Sequence, residues 1–246
     1  MICAIMQPTY IPWCGYFDLI DRVDKFVFLD NVKLEKSDWH VRNRIKSASG
    51  ETMLSIDVTL PNGRMNTMIN QAKLNLKAPW QKKHLKSVYA NYRKSKYFDH
   101  VYPFLEVLIN THHENLSDFT ISIIEAISIK VGIKTQFIRS SNIDNVEGIK
   151  DERLVSICNN LDVKNYLSPV GSAVYLNKNT PGGELVKHNI NLFYHQFEHP
   201  IHEQLFGEFK SHLSIIDMLF NYGFDNTLNL IRSGRKAKLP YSELGA

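Results

Sequence analysis

The chain has 246 residues, of which 43% are apolar and 22% charged, with 29 Lys and Arg against 25 Asp and Glu for a net charge of +4. That balance is ordinary for a soluble globular protein with a sizeable core. The mild positive charge suits an anionic small molecule as well as a weak nucleic-acid contact and selects neither. Three scattered cysteines (Cys3, Cys14, Cys158), with no CxxC pair, argue against a disulfide scaffold or a zinc site.

An apolar run at residues 2–6 breaks at Gln7-Pro8 and passes a loop containing Pro8 and Pro12. A short amphipathic segment follows at 15–23, and a second apolar run, 26–29, stops on Asp30. This reads as strand, loop, helix, strand. In open α/β sheets the loops at the carboxyl ends of such strands hold the ligand, so loops 7–13 and 30–44 are expected side by side. Residues 45–58 alternate around Ser49-Gly50, as a hairpin does. Pro61-Asn62-Gly63 is a turn signal, 64–70 a polar loop and 72–76 a short strand. Pro79 suits a first helical position, after which Trp80, His84, Val88 and Tyr92 share one face. Residues 97–109 and 119–131 are amphipathic helices, the second with Ser117 or Asp118 to cap it and Gly132 to end it. Strands at 135–138, 164–167 and 191–195 then alternate with a helix at 150–161, and helices at 213–221 and 226–231 follow. The pattern predicts an α/β fold: a mainly parallel, Rossmann-like sheet flanked by helices. One domain over 1–246 accounts for it, with a hairpin insertion at about 42–76 and C-terminal helices at about 205–246.

Four clusters carry more polar and aromatic residues than packing requires. In the first loop, Gln7, Tyr10 and Trp13 sit among rigid prolines, and the aromatics suit stacking on a flat ligand group. In the second, Asp30 ends a strand, and Trp39, His40, Arg42, Asn43 and Arg44 follow. Arginine forks match phosphate or carboxylate, and histidine titrates near neutrality. The third is His84 among lysines on an apolar helix face, where a histidine is usually structural although the lysines attract anions. The fourth holds His195, His199, His202 and Gln204. Pro200 argues against His199 and His202 sharing a helical face, and no HExxH spacing occurs, so no metal is expected. Ser168, ahead of Gly171, is a smaller candidate, and Cys14 beside Gly15 reads as a small buried hydrophobe before it reads as a nucleophile. GxGxxG after the first strand, GxxxxGK[ST] and GxSxG are absent. The start lacks the basic leader and long apolar core of a signal peptide, and no stretch approaches the ~20 apolar residues of a bilayer span. A cytoplasmic protein with reduced thiols is the expectation.

The chain resembles the WbqC-like family found with bacterial surface-polysaccharide genes. The likeness rests on residues 6–20 (MQPTYIPWCGYFDLI), 24–32 (DKFVFLDNV) and Arg42-Asn43-Arg44-Ile45, and continues through Lys83-His84, Asn91-Tyr92, 166–168, His199-Pro200 to Gln204, and 213–221. Where the family commonly reads D-x-V-Q-F, this chain has Asp30-Asn31-Val32-Lys33-Leu34, with a cation in place of an amide. The resemblance implies a role in O-antigen assembly: transfer of an acyl or aminoacyl group to a nucleotide-linked amino sugar. Coenzyme A or a carrier protein would bring the acyl thioester as co-substrate, no cofactor would be tightly bound, and neither nucleic acid nor a membrane span would be involved. A looser likeness to the nucleotidyltransferase fold implies a nucleotide-binding loop. The HxGH histidines are missing from Trp13-Cys14-Gly15-Tyr16, which weakens an adenylate-forming reading.

Acyl transfer requires a base for the amine proton, donors for the oxyanion and cations for the diphosphate. His40, His195 or His199 is the expected base, oriented by Asp30. Arg42 and Arg44 would hold phosphate, Trp13 or Tyr10 would stack on the base, and Asn43 or Gln7 would donate to the oxyanion. The alternative is a non-catalytic module that binds a nucleotide sugar or carrier protein.

Overall fold

The computed structural model describes residues 1–246 apart from 36–38, 64, 179 and 245–246. The middle of loop 30–44 and the first residue of the 64–70 tract therefore lie outside the described residues. The chain opens as β1 (Ile2–Met6), α1 (Cys14–Asp21) and β2 (Lys25–Phe28). Side chains on β1 alternate between two hydrophobic layers. Ile2, Ala4 and Met6 pack with the layer holding α1, whereas Cys3 and Ile5 join the opposite one. Phe26 and Phe28 against Val27 and Leu29 repeat the division. Burial on both faces is the condition of a parallel sheet covered on both sides.

The excursion from the sheet contains the hairpin β3 (Arg42–Ser47) and β4 (Gly50–Ser55), then the two-residue strands β5 (Val58–Thr59) and β6 (Lys73–Leu74). Helices α2 (Trp80–Tyr92), α3 (Phe98–Asn110) and α4 (Leu116–Val131) follow, and then β7 (Gln136–Arg139), α5 (Lys150–Asn160) and β8 (Asn165–Pro169). Two short helices, α6 (Ala173–Leu176) and α7 (Gly183–Lys187), precede β9 (Asn191–His195), α8 (Ile216–Ser233) and β10 (Leu239–Pro240). The six-stranded sheet runs β10-β9-β8-β1-β2-β7, parallel except for the β9–β10 pair. The chain leaves β1 toward β2 and β7, then returns to the other side at β8 and β9. The strand order thus reverses between β1 and β8, where open α/β sheets leave a crevice at their carboxyl ends.

Local differences from the sequence reading have local causes. Helix α4 begins at Leu116 rather than 119, because the fully buried Leu116 gives its N–H to Ala72 O at 2.8 Å. Ser117 and Asp118 therefore lie inside the first turn, where Asp118 pairs with Arg139, and Asn115 takes the cap position. Pro79 is likewise the cap residue of α2 rather than its first helical residue. Gly132 ends α4 in the left-handed conformation, as its position predicts. Gly223 (φ 72°, ψ 174°) breaks α8 into the two helical pieces that the sequence separates. Among the described residues no helix is long and apolar enough to cross a membrane.

Candidate functional site

The loop after β1 and the segment leading into β3 are joined by backbone. Tyr10 N–H donates to Trp39 O at 2.9 Å, and His40 Nδ1–H donates to Pro8 O at 3.1 Å. A third segment closes the arrangement: Ser214 N–H donates to Arg44 O (2.8 Å) and Ile215 N–H to Pro12 O (2.9 Å). Between the three lies a cavity of about 250 Å³, lined among others by Met6, Thr9, Trp13, Trp39, Arg44 and His212. Ile11 in this loop is held at φ 41°, a costly conformation for a β-branched residue. The Asn43 side chain stabilises it by donating to both Tyr10 O (3.0 Å) and Ile11 O (2.7 Å), while its Oδ1 accepts from Arg44 N–H.

Trp13 forms one wall. Its indole lies over Gly15, where a Cβ would sit 2.2 Å from the ring, so the small residue is a steric condition of the wall. His212 stacks on it with ring centroids 4.7 Å apart, and His199 stacks at 6.1 Å. Burial lowers the basicity of both histidines, that of His199 to a pKa of about 4, so the rings are neutral at pH 7. His199 Nδ1–H donates to Pro200 O, and His212 Nδ1 meets Ser211 Oγ. Trp39, 42% exposed, forms the other wall and carries the Arg42 and Arg44 guanidinium groups over its ring, centred 6.0 and 5.3 Å away. Arg44 is fixed by Glu51 (2.9 Å) and His212 O (3.3 Å), and its buried Nε has no partner among the described residues. Arg42 Nε is in the same condition.

The third segment hangs on a buried polar network. Asp217 accepts from the Tyr92 hydroxyl (2.9 Å), Gln204 Nε2 (2.8 Å) and His202 Nε2 (3.1 Å). Lys46, 1% exposed, reaches Gln204 Oε1 and Glu208 O. Gln204 also exchanges two bonds with the Lys210 backbone, so its amide is spent on shaping residues 204–210 rather than left for substrate.

Several expected roles are not what the geometry provides. Asp30 is sealed in and accepts from Ser140 Oγ, Ser141 N–H and Ser141 Oγ; it anchors the turn after β7 and orients no histidine. His40 is buried against Pro8. His195 is instead oriented by Asp18, 2.7 Å away, whose other oxygen takes Arg235. That pair ties α1 to β9, and neither residue lines the cavity. Tyr10 is fully buried, so it offers no face to a base; its hydroxyl bonds His84 Nδ1 at 2.9 Å. His84 gives its Nε2–H to Ser55 O, and burial pulls its pKa to about 4, which keeps the ring neutral; it lines a separate cleft of about 350 Å³ beside Trp80 and Lys83. Asn43 lines the cavity, but its amide is committed to backbone. Ser168 lies buried inside β8, and a Cβ on Gly171 would meet nothing, so that glycine answers no steric need. The Cys14 thiol is pushed well up by burial. Gln7 lines a different cleft, of about 440 Å³, on the α5 side of β1. Among the described residues no group of three or more His, Cys, Asp or Glu is placed to hold a metal ion. The sequence reading missed Thr9, His212, Asp18 and Asp217. Thr9 falls within the candidate loop 7–13, and His212 and Asp217 fall within the tract 194–221, but only tertiary proximity singles them out, and Asp18 has no signal in the sequence.

Fold and cavity together define an α/β protein of the doubly wound kind, with ligand-sized clefts at the carboxyl edge of its parallel strands. The chain belongs to the WbqC-like protein family, whose profile matches residues 7–228. It is similar to the uncharacterised protein Rv1507c of Mycobacterium tuberculosis, at 31% identity over 224 residues, covering 89% of this chain and 93% of that protein. No solved structure matches the chain.

Proposed function

We propose that the protein is an N-acyltransferase acting on a nucleotide-linked amino sugar, in the surface-polysaccharide setting with which WbqC-like proteins are associated. The observation that carries this reading is Arg44, whose buried Nε–H has no partner among the described residues and which lines, with His212, a cavity walled by Trp13 and Trp39. The donor is an acyl thioester of coenzyme A or a carrier protein. The sugar amine attacks the thioester carbonyl carbon, and a C–N bond forms as the carbonyl electrons move to oxygen. A cation with a spare N–H in a partly dry site is the group that stabilises such an oxyanion. Neutral His212 accepts the amine proton and passes it to the departing thiolate when the C–S bond breaks. The tryptophans supply flat apolar surface for the sugar or acyl group. Direct attack by the amine needs no enzyme nucleophile, and the buried Cys14 thiol, its pKa raised, does not offer one.

Mass spectrometry of UDP- and dTDP-amino sugars incubated with acyl-thioester donors tests the reading. It predicts a mass gain of one acyl group that disappears in His212→Asn and in Arg44→Ala. Tight nucleotide binding with no product under any donor would identify a binding module instead, and ATP-dependent release of pyrophosphate would identify an adenylating ligase.

A further inference from the structure

The cleft that contains Gln7 lies on the opposite face of β1 from the tryptophan-walled cavity. Met6 and Gln7 are consecutive residues at the carboxyl end of β1 and serve one cavity each. Three cations line the cleft: Lys33 after β2, and Lys150 and Arg153 one turn apart at the start of α5. Among the described residues none of the three has a carboxylate within salt-bridge distance. Arg153 is aimed by the carbonyls of Gly148 (3.1 Å) and Asn31 (3.0 Å), which fix its direction without cancelling its charge. Helical geometry separates the signs. Positions 150, 153 and 154 share one face of α5, and the neighbouring face carries Glu152 toward another cleft, shared with Glu147 and Glu184. Asp151 is bonded to Glu184 N–H. Lys150 is held at φ 50°, a left-handed conformation that a lysine adopts at a cost. Tyr175, Met68 and Ile149 stand partly exposed along the same cleft and offer apolar surface beside the charges.

We infer that this cleft binds a nucleoside diphosphate moiety, with Lys33, Lys150 and Arg153 on the phosphates and Tyr175 against the base. The position is the crevice at the carboxyl ends of parallel strands that such folds use for nucleotides. Unpaired cations beside an exposed aromatic fit a ligand that is anionic at one end and flat at the other. A volume of about 440 Å³ lies in the range of small-ligand pockets. The inference extends the acyltransferase reading by placing its nucleotide. It also moves phosphate recognition away from Arg44, which is already engaged by Glu51. Two co-substrates carry this chemistry, the sugar nucleotide and coenzyme A.

Isothermal titration calorimetry of the full chain with UDP, dTDP, coenzyme A and inorganic pyrophosphate tests it. At least one nucleotide is expected to bind, with affinity reduced by salt and weakened about tenfold or more in the double variant Lys33→Gln/Lys150→Gln. Both lysines are exposed, so the variant keeps the fold, and Lys164→Gln serves as the charge control. Tyr175→Ala is expected to weaken the nucleotides and leave pyrophosphate unchanged. UDP or dTDP as the ligand assigns the cleft to the acceptor, and coenzyme A assigns it to the donor. No binding at millimolar nucleotide overturns the inference. So does pyrophosphate binding as tightly as the nucleotides, or affinity that the double variant leaves intact. Binding without acyl transfer leaves the cleft standing and removes the acyltransferase; transfer at full rate in the double variant does the reverse.

Discussion

Trp13 can form a cavity wall because position 15 has no side chain. A methyl group there would enter the indole, so Gly15→Ala is expected to cost about 1–3 kcal/mol in urea unfolding. In a Trp13→Ala background most of that cost vanishes, which gives a coupling of at least about 1 kcal/mol. If the two costs simply add, the indole does not rest on Gly15. His84 makes a different prediction. Its ordinary pKa is 6.5 and burial lowers the folded value to about 4. The unfolded chain takes up a proton near pH 6.5 and the folded chain only near pH 4. The stability linked to neutral His84 is therefore complete above pH 6.5 and is lost as the pH falls toward 4. Between pH 7 and 4.5 the wild type should lose about 2 kcal/mol more than His84→Gln. Equal pH slopes would mean that His84 is not buried neutral. Single residues were the least legible part of the sequence. Asp30 stands two residues beyond β2, where a catalytic acid is expected, yet its oxygens are consumed by Ser140 and Ser141, 110 and 111 positions later. The carboxylates that do orient histidines, Asp18 and Asp217, are 177 and 15 positions from their partners and lie inside helices, where nothing distinguishes them from solvated acids.

Elements were more legible, because periodicity and punctuation are local. The first strand, the third long helix with its glycine stop, and the strand at 191–195 follow directly from apolar runs and breakers. The four- and five-residue helices α6 and α7 and the two-residue β10 are too short for a period to register. Gly223 was legible only as a gap between two helical patterns. Its φ of 72° and the Tyr97 ring, 2.6 Å from where a Cβ would stand, explain the gap. Gly223→Ala is expected to destabilise by about 2–4 kcal/mol, through both backbone strain and the clash. The loop after β1 depends similarly on Asn43. Asn43→Ala leaves the carbonyls of Tyr10 and Ile11 without their amide donor, at a cost of about 2–4 kcal/mol, and frees Ile11 to leave φ 41°. Chemical denaturation combined with the near-ultraviolet signal of Trp13 reads both effects. A destabilised variant with an unchanged tryptophan signal would show that the loop does not need Asn43.

Across the whole molecule, the strand reversal between β1 and β8 organises everything else. The reversal itself was not readable, but the sheet was in outline, since strand–helix alternation implies a parallel sheet and a parallel sheet implies ligand sites at its carboxyl edge. The division of that edge was not readable. Met6, the last residue of β1, and Gln7, the first beyond it, are neighbours in sequence, yet they line different cavities. One face gathers tryptophans, a neutral histidine and a guanidinium N–H without a partner among the described residues; the other gathers cations with no carboxylate partner among those residues, beside an exposed tyrosine. An enzyme that joins an acyl group to a phosphate-bearing acceptor needs both kinds of surface. The most direct test is the rate of acyl transfer to a nucleotide-linked amino sugar by folded His212→Asn and Arg44→Lys variants, measured at saturating donor. Removing a base or an oxyanion donor should lower kcat about a hundredfold or more in each. Full kcat in both variants, with normal folding by circular dichroism, would contradict the assignment of this cavity to the chemistry.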